Sequence, residues 1–354
     1  MIEDEGGDEG ERRQLRAGHV LPVRAGGPDP PTRGQARGPR WRSTSHGFYV
    51  PVDTPADDVD QRIVEASVVV PPRCAINGWA NLRWRGGRWF DGRDRMGTML
   101  PVDVVVSTHD IRPQRGIRPG GESFRPGWVT WVDGLPLIDA AYAVSFVMRY
   151  ADSVLGAATA LSLAAYNDLV SVDEVSDWLT PGQNGMTGVP QAREAIGWAE
   201  ENVWAPDELW VSWVWQALAG MPRPLCNVPV FDRSGRHVAT PDLLDPVAGV
   251  AGEYDGGHHL DAEQRGRDVR REGLVRHHGL EVVTATKRDR PDPRHLLARL
   301  HDAYHRASHR PRADRTWTID PPTWWTPSLT VEQRRALTPD QRRRLLGHRE
   351  IVRR

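Results

Sequence analysis

Lysine is almost missing from this chain. Lys287 is the single example among 354 residues, so nearly all the positive charge is carried by arginine. That bias reads as the mark of a GC-rich genome, and arginine abundance alone does not argue for nucleic acid. Cysteine is scarce too: Cys74 and Cys226 stand far apart and in no metal-ligand spacing. This excludes a disulfide framework and a zinc ribbon, and fits a reducing, cytoplasmic setting. No run of 18 apolar residues exists. The longest candidate, Val154 to Tyr166, is interrupted by Gly, Thr and Ser and reads as a buried core helix, so no membrane partner is expected. The opening MIEDEGGDEGE is acidic and has no apolar signal core, which argues against secretion. A glycine-rich phosphate loop, a Ser-His-Asp elbow and a Rossmann fingerprint are all lacking, which argues against nucleotide and nicotinamide cofactors.

What is present suits two or three domains. Apolar residues make up 39% of the chain and charged residues 26%, while 34 Gly and 29 Pro point to many turns. The net charge of −1 hides a division: Arg288 to Arg354 holds 16 Arg against 8 acidic residues, so the rest of the chain is acidic. Residues 1–45 are acidic and then Gly/Pro/Arg-rich, and read as disorder or linker. Residues 46–134 read as a small mixed α/β module. GFYVPVD, LPVDVVVS and GWVTWVDG are its strands, and Asp58–Ala66 and Ala75–Leu82 its short helices. Residues 135–204 read as helical, with a capping box at Ser171–Glu174. Residues 308–354 read as a Trp/Pro linker followed by a basic helix opened by Thr338-Pro339.

Residues 205–307 carry the strongest pattern. Pro206–Ala219 reads as an amphipathic helix with Gly220 at its C′ position. Three strands follow, NVPVF, GRHVATPDLL and GVAGEYD, with a hairpin turn at Asp232–Gly235. A helix over Ala262–His278, the strand LEVVTAT and a helix over Pro293–Ala307 complete an α-β-β-β-α-β-α order. The chain as a whole is therefore expected to be α/β, or α+β overall.

Within that block the acidic residues have a suggestive spacing. Asp242 follows Pro241 on the second strand. Glu253 and Asp255 stand at i and i+2 on the third, where strand alternation puts them on one face. If these strands pair, three carboxylates crowd together and raise one another's pKa, a cost that a divalent cation removes. Oxygen-only ligands suit Mg2+ or Mn2+ rather than zinc. His258 and His259 follow Gly256-Gly257, close enough to act on a water or a leaving group. On the next helix Gln264, Asp268 and Arg271 share a face, from which Arg271 faces a phosphate with Asp268 or Glu272 orienting it. Asp255-Gly256 is equally an ordinary turn signal, adjacent histidines are usually surface residues, and Glu208 is either an acid reaching the site or an N-terminal acid favouring its helix dipole.

PDLLDPVAGVAGEYDGGHH, followed by RDVRREGLVRHHGLEVVTAT, resembles the endonuclease-like domain of the very-short-patch-repair (Vsr-like) group within the PD-(D/E)xK superfamily. APDELWVSWVWQAL is similar to the helix that opens such domains in actinobacterial proteins. GPRWRSTSHGFYVPVD and GWANLRWRGG resemble the front half of AbiEi-type antitoxin-like proteins. The resemblance implies a restriction-endonuclease-like core that cleaves DNA phosphodiester bonds with a divalent metal. Asp242 then matches the first metal-ligand acid and Glu253 the second, while Asp255 falls where the superfamily usually has lysine.

The expected chemistry is metal-assisted hydrolysis. Asp242 and Glu253 hold the ion, and Asp255 is a further ligand or orients the attacking water. His258 or His259 serves as base or leaving-group acid, Arg271 offsets charge on the phosphate, and Glu208, Gln264 and Asp268 support from behind. The competing reading is a non-catalytic, DNA-binding regulator or antitoxin-like protein, which the missing lysine favours. The exposed pair Trp324-Trp325 marks the tail as a candidate surface for a protein partner, and a homodimer is compatible with the sequence.

Overall fold

The computed structural model describes residues 15–106, 111–180, 185–256, 273 and 277–350. The chain divides into two compact units: the described residues up to Asp152 with Asp173–Arg193, and Ser153–Val172 with Glu194 onward. Both mix helices and sheets, as the composition implies. No helix among the described residues is long and apolar enough to cross a membrane.

The first unit holds two sheets. Strands β1 (Val23–Arg24), β2 (Trp41–Ser45) and β3 (Phe48–Pro51) form a small antiparallel one in the order β1-β3-β2. Helix α1 (Val59–Ser67) follows, opened by Asp58, whose carboxylate accepts from Gln61 N at 2.6 Å. The second sheet has five strands in the order β6-β5-β4-β8-β7, built from β4 (Ala75–Asn77), β5 (Val102–Val105), β6 (Ile117–Gly120), β7 (Val129–Val132) and β8 (Leu135–Ile138). Ala75–Leu82 is thus not one helix. Its first three residues are a fully buried strand between β5 and β8, and helix α2 (Gly78–Trp84) begins only afterwards. Leu135–Ile138 corrects the sequence reading in the same way. This apolar run pairs with β7, and helix α3 (Ala140–Arg149) starts at Asp139, whose carboxylate accepts from Ala141 N and Tyr142 N. A short apolar run before a helix cannot be assigned by periodicity alone. Tryptophans close this unit from inside: the Trp84 indole donates to Val132 O at 2.9 Å and the Trp79 indole to Pro101 O at 2.7 Å.

The second unit begins with helix α4 (Val154–Tyr166), the Ala-rich segment expected to be buried; Ser153 caps it by accepting from Gly156 N at 3.0 Å. Most of helices α5 (Val172–Trp178) and α6 (Val189–Ile196), which follow in the chain, belongs to the first unit. Helix α7 (Pro206–Trp213) passes into a wider π-type turn over Val214–Leu218, and Gly220 leaves it at φ +66°. The segment GRHVATPDLL is two strands in two sheets. Strand β11 (His237–Ala239) pairs with β10 (Val230–Asp232), which also pairs with Trp317–Thr318. Past Pro241, strand β12 (Leu243–Asp245) joins a four-stranded sheet with β9 (Leu225–Cys226), β13 (Val250–Asp255) and β14 (Glu281–Thr286), in the order β14-β13-β12-β9. Pro241 has no amide hydrogen for a ladder, so the chain changes sheets there. Strands β13 and β14 run parallel and the other neighbours antiparallel.

Alternation separates the two faces of this sheet. Leu244, Ala251 and Val282 pack against Val230, Val238 and Trp317 of the smaller sheet. Leu243, Asp245 and Gly252 face the other way, toward Trp215 and the helix α8 (Arg294–Ser308). There the Trp215 indole donates to the Tyr304 hydroxyl at 2.9 Å, and that hydroxyl donates to Asp245 Oδ2 at 2.8 Å. A Cβ at position 252 would lie 2.9 Å from the Trp215 ring, so glycine lets the indole rest on the strand.

The basic tail is drawn into this unit. Helix Pro339–Glu350 is opened by Thr338, which accepts from Gln341 N at 3.3 Å, and a second helix, Val331–Arg335, precedes it. The Arg334 side chain is fully buried. It donates to Asp168 Oδ1 at 2.6 Å, to Ala165 O at 2.7 Å and to Leu329 O at 2.8 Å. Arg342 takes the other Asp168 oxygen at 2.8 Å, and Arg349 donates to Tyr166 O at 2.7 Å. These cations satisfy the last carbonyls of α4, where a positive charge is favoured.

Candidate active site

Strand pairing brings the acidic residues to one end of the four-stranded sheet. The ladders pair Cys226 with Leu243, Leu243 with Gly252, and Glu253 with Thr284. One step outward, Asn227 N donates to Asp242 O at 2.9 Å, and Glu253 pairs with Thr284. The start of β12 and the ends of β13 and β14 coincide there, because β12 runs against the other two. Asp242 thus lies just before the first paired residue of β12, and Glu253 and Asp255 lie on the final stretch of β13.

Each acid is held differently. Asp242 is half-buried; its Oδ2 accepts from Tyr254 N at 2.7 Å, and its carbonyl accepts from Asn227 N at 2.9 Å. Glu253 is half-buried, and Asp255 is exposed at the strand end.

Glu208, in the first turn of α7, is only 6% exposed. Ala205 offers no side-chain cap, and the Glu208 carboxylate reaches back in its place: Oε2 accepts from Trp204 N at 2.8 Å and from the Asn227 amide at 2.7 Å. Burial, and then the negative charge of Asp242, push its pKa up to about 8. Both effects favour its protonated form; its bond from Trp204 N ties it to the helix end, and it lies close enough to Asp242 to feel that charge. Cys226 shares the surroundings; burial and the nearby carboxylates hold its thiol protonated.

Asn227 and Asn202 carried no signal in the sequence. Asn227 sits in the left-handed region at φ +50°, and its amide bridges Asn202 O at 2.8 Å and Glu208. Asn202 in turn donates to the carbonyls of Cys226 and Asn227, both at 3.0 Å, and its own oxygen accepts from Arg349 at 3.0 Å. The Asn227 Oδ1 is buried without a hydrogen-bond partner. An asparagine in the left-handed region is a turn residue by default, so only the fold reveals its place beside the acids.

His258, His259, Gln264, Asp268 and Arg271 lie outside the described residues. Lys287 is exposed in the turn that follows β14. A cleft of about 280 Å³ runs along the outer edge of β14, lined by Val282, Val283, Thr284, Arg299, Asp302 and Arg306. Its arginines are paired, Arg299 with Asp289 and Arg306 with Glu281, both at 2.8 Å. Among the described residues, no group of three or more His, Cys, Asp or Glu is arranged to hold a metal ion. The two carboxyl groups that feel one another electrostatically are Glu208 and Asp242, and Glu253 stands on the neighbouring strand. Comparison with protein-family models, with curated proteins and with solved structures finds no match to this chain.

Proposed function

We propose that the second unit is a divalent-metal-dependent nuclease of the Vsr-like, PD-(D/E)xK kind, hydrolysing DNA phosphodiester bonds in the cytoplasm. What supports the reading is the pairing of β12 with β13, which sets Asp242 one residue before and Glu253 one residue after the Leu243–Gly252 pair, with Glu208 close enough to Asp242 for its pKa to be raised. Packing alone gives no reason to assemble carboxylates whose charges oppose one another. A hard dication relieves that repulsion, and Mg2+ is commonly held by one or two carboxylates together with water and substrate phosphate. The donor set fits Mg2+ or Mn2+.

When bound, the ion supplies Lewis-acid chemistry at the phosphate. Asp242 and Glu253 hold it, and the Tyr254 amide fixes the orientation of Asp242. Asp255, exposed at the strand end, is a further ligand or orients the attacking water. His258 or His259 takes or gives the proton, and Arg271 offsets charge on the phosphate. In the test, full-length protein is incubated with supercoiled plasmid and with single-stranded DNA in Mg2+ or Mn2+. Nicking that disappears in Asp242→Ala and Glu253→Gln supports this reading.

The second reading is a DNA-binding regulator without catalysis, akin to the antitoxin-like proteins that the front half resembles. One specific feature favours it: Asp255 stands at the usual lysine position, and Lys287 is an exposed residue beyond the next strand. Wild-type protein that shifts DNA in EDTA, cleaves with neither ion, and binds equally well as Asp242→Ala would select this alternative.

A further inference from the structure

The smaller sheet of the second unit carries an aromatic surface that the acidic pair does not use. Phe231 is fully buried under Trp324 and Trp325, whose rings meet it edge-on at 6.2 and 5.0 Å. Trp325 is also stacked on His237, with 14° between the planes. Trp324 is 62% exposed, a large apolar ring held by T-shaped contacts to Phe231 and Trp325. Beside it, the β10–β11 hairpin presents two arginines. The Arg233 guanidinium donates to Arg315 O at 2.5 Å, so the group is fixed in place while its charge is matched by no carboxylate among the described residues. The Arg236 side chain is 75% exposed and stands 3.5 Å from Asp232 Oδ2, a loose pair that leaves most of the guanidinium open to solvent.

We infer that this surface is a stacking platform for an unpaired nucleobase, with Trp324 taking the base and Arg233 and Arg236 the flanking phosphates. A rigid, exposed indole next to fixed positive charge is how single strands are gripped without reading their sequence. Its place on the chain fits the acidic pair: His237, on which the neighbouring Trp325 stacks, precedes Asp242 by five residues, so these two Cα atoms are separated by at most about 18 Å. That is about five stacked base steps. The inference rests on the nucleic-acid reading above and adds a substrate class, DNA with an unpaired base near the cut.

The test uses full-length protein in EDTA and three labelled probes: a twelve-residue oligo-dT, an abasic strand of the same charge, and a duplex. Wild type binds oligo-dT more tightly than the abasic strand. Trp324→Ala removes that preference, weakening oligo-dT at least about fivefold and leaving the abasic strand unchanged. Trp324→Phe keeps most of the preference and stands in if the alanine variant does not fold. Arg233→Ala weakens both strands alike. Equal binding of oligo-dT by wild type and Trp324→Ala, or no preference for bases in wild type, overturns the platform. If wild type still nicks plasmid in Mn2+ in that case, only the platform falls; if it neither binds nor nicks, both readings fall. A Trp324→Ala variant altered only in self-association or in protein binding overturns it as well.

Discussion

The Asn227 side chain donates to Glu208 Oε2 at 2.7 Å and so fastens the first turn of a helix to the end of the central sheet. The bond places a protonated carboxyl beside Asp242, and its energetics are open to measurement.

Glu208 binds its proton more tightly in the folded chain than in the unfolded one, where 4.5 is the ordinary value. Between pH 4.5 and about 8 the unfolded chain gives up this proton first, so the stability Glu208 contributes is complete at low pH and lost on the way up. The loss amounts to at most roughly 1.4 kcal/mol per pH unit. Urea melts of wild type and Glu208→Gln at pH 5, 6.5 and 8 should diverge, with the glutamine variant gaining relative stability as pH rises. Parallel curves would mean that Glu208 is not perturbed.

The same proton links to metal. If Asp242 and Glu253 hold the ion, its charge lowers the pKa of Glu208, and binding releases a proton. Mn2+ affinity measured by calorimetry should then rise between pH 6 and 8 in wild type and rise less in Glu208→Gln. Asp242→Asn should bind at least tenfold more weakly at any pH, on the order of 1.4 kcal/mol or more. A pH-independent affinity in wild type would count against Glu208 sensing the ion.

How much of this could be read from the residues alone differs by element. Some boundaries of the second unit were visible because turn residues punctuate it: Asp232–Gly235 turns the hairpin and Gly220 ends a helix, whereas GRHVATPDLL, read as one strand, is divided between two sheets. The antiparallel pairing of β12 with β13, the condition for bringing Asp242 near Glu253, was legible from the strand pattern around Pro241 and Gly249. Ala75–Asn77 and Leu135–Ile138 were misassigned as helix because short apolar runs have no distinctive period, and only their place inside a five-stranded sheet makes them strands. Asn202, Asn227 and Arg349 were invisible because each reaches the site through a bond that spans distant sequence. The arginine-rich tail read as a solvated basic helix because its partners, the carbonyls of α4 and Asp168, are far away in the chain.

Arg334 tests that last point. Its side chain is fully buried, and Asp168 is its ion-pair partner. Removing one member of a buried pair typically costs about 3–5 kcal/mol. Arg334→Met should lower the melting temperature sharply. Arg334→Lys should restore little of it, since an ammonium cannot reproduce the forked contacts to Asp168, Ala165 and Leu329. Arg343→Ala, at an exposed pair with Asp340, should stay within about 0.5 kcal/mol of wild type.

Tyr304 offers a separate probe on the helix-covered face of the sheet. Its hydroxyl accepts from the Trp215 indole and donates to Asp245. Tyr304→Phe strands both partners in the interior and should cost about 1–3 kcal/mol in chemical denaturation. Gly252→Ala, which drives a methyl into the Trp215 ring, should be destabilising by about 1–3 kcal/mol. If both variants melt like wild type, the indole does not rest on β13.

Arg349 clamps Asn202 across a separation of 147 residues. Synthesis runs from the N-terminus, so the asparagines at the sheet end wait for their outermost restraint until that arginine has been made. A nascent chain can fold its central strands well before this, yet it cannot hold Asn202, Asn227 and Glu208 in their final arrangement. The arrangement of Asn202, Asn227 and Glu208 is therefore completed only once the chain through Arg349 is available, a restraint that local folding of the strands does not replace.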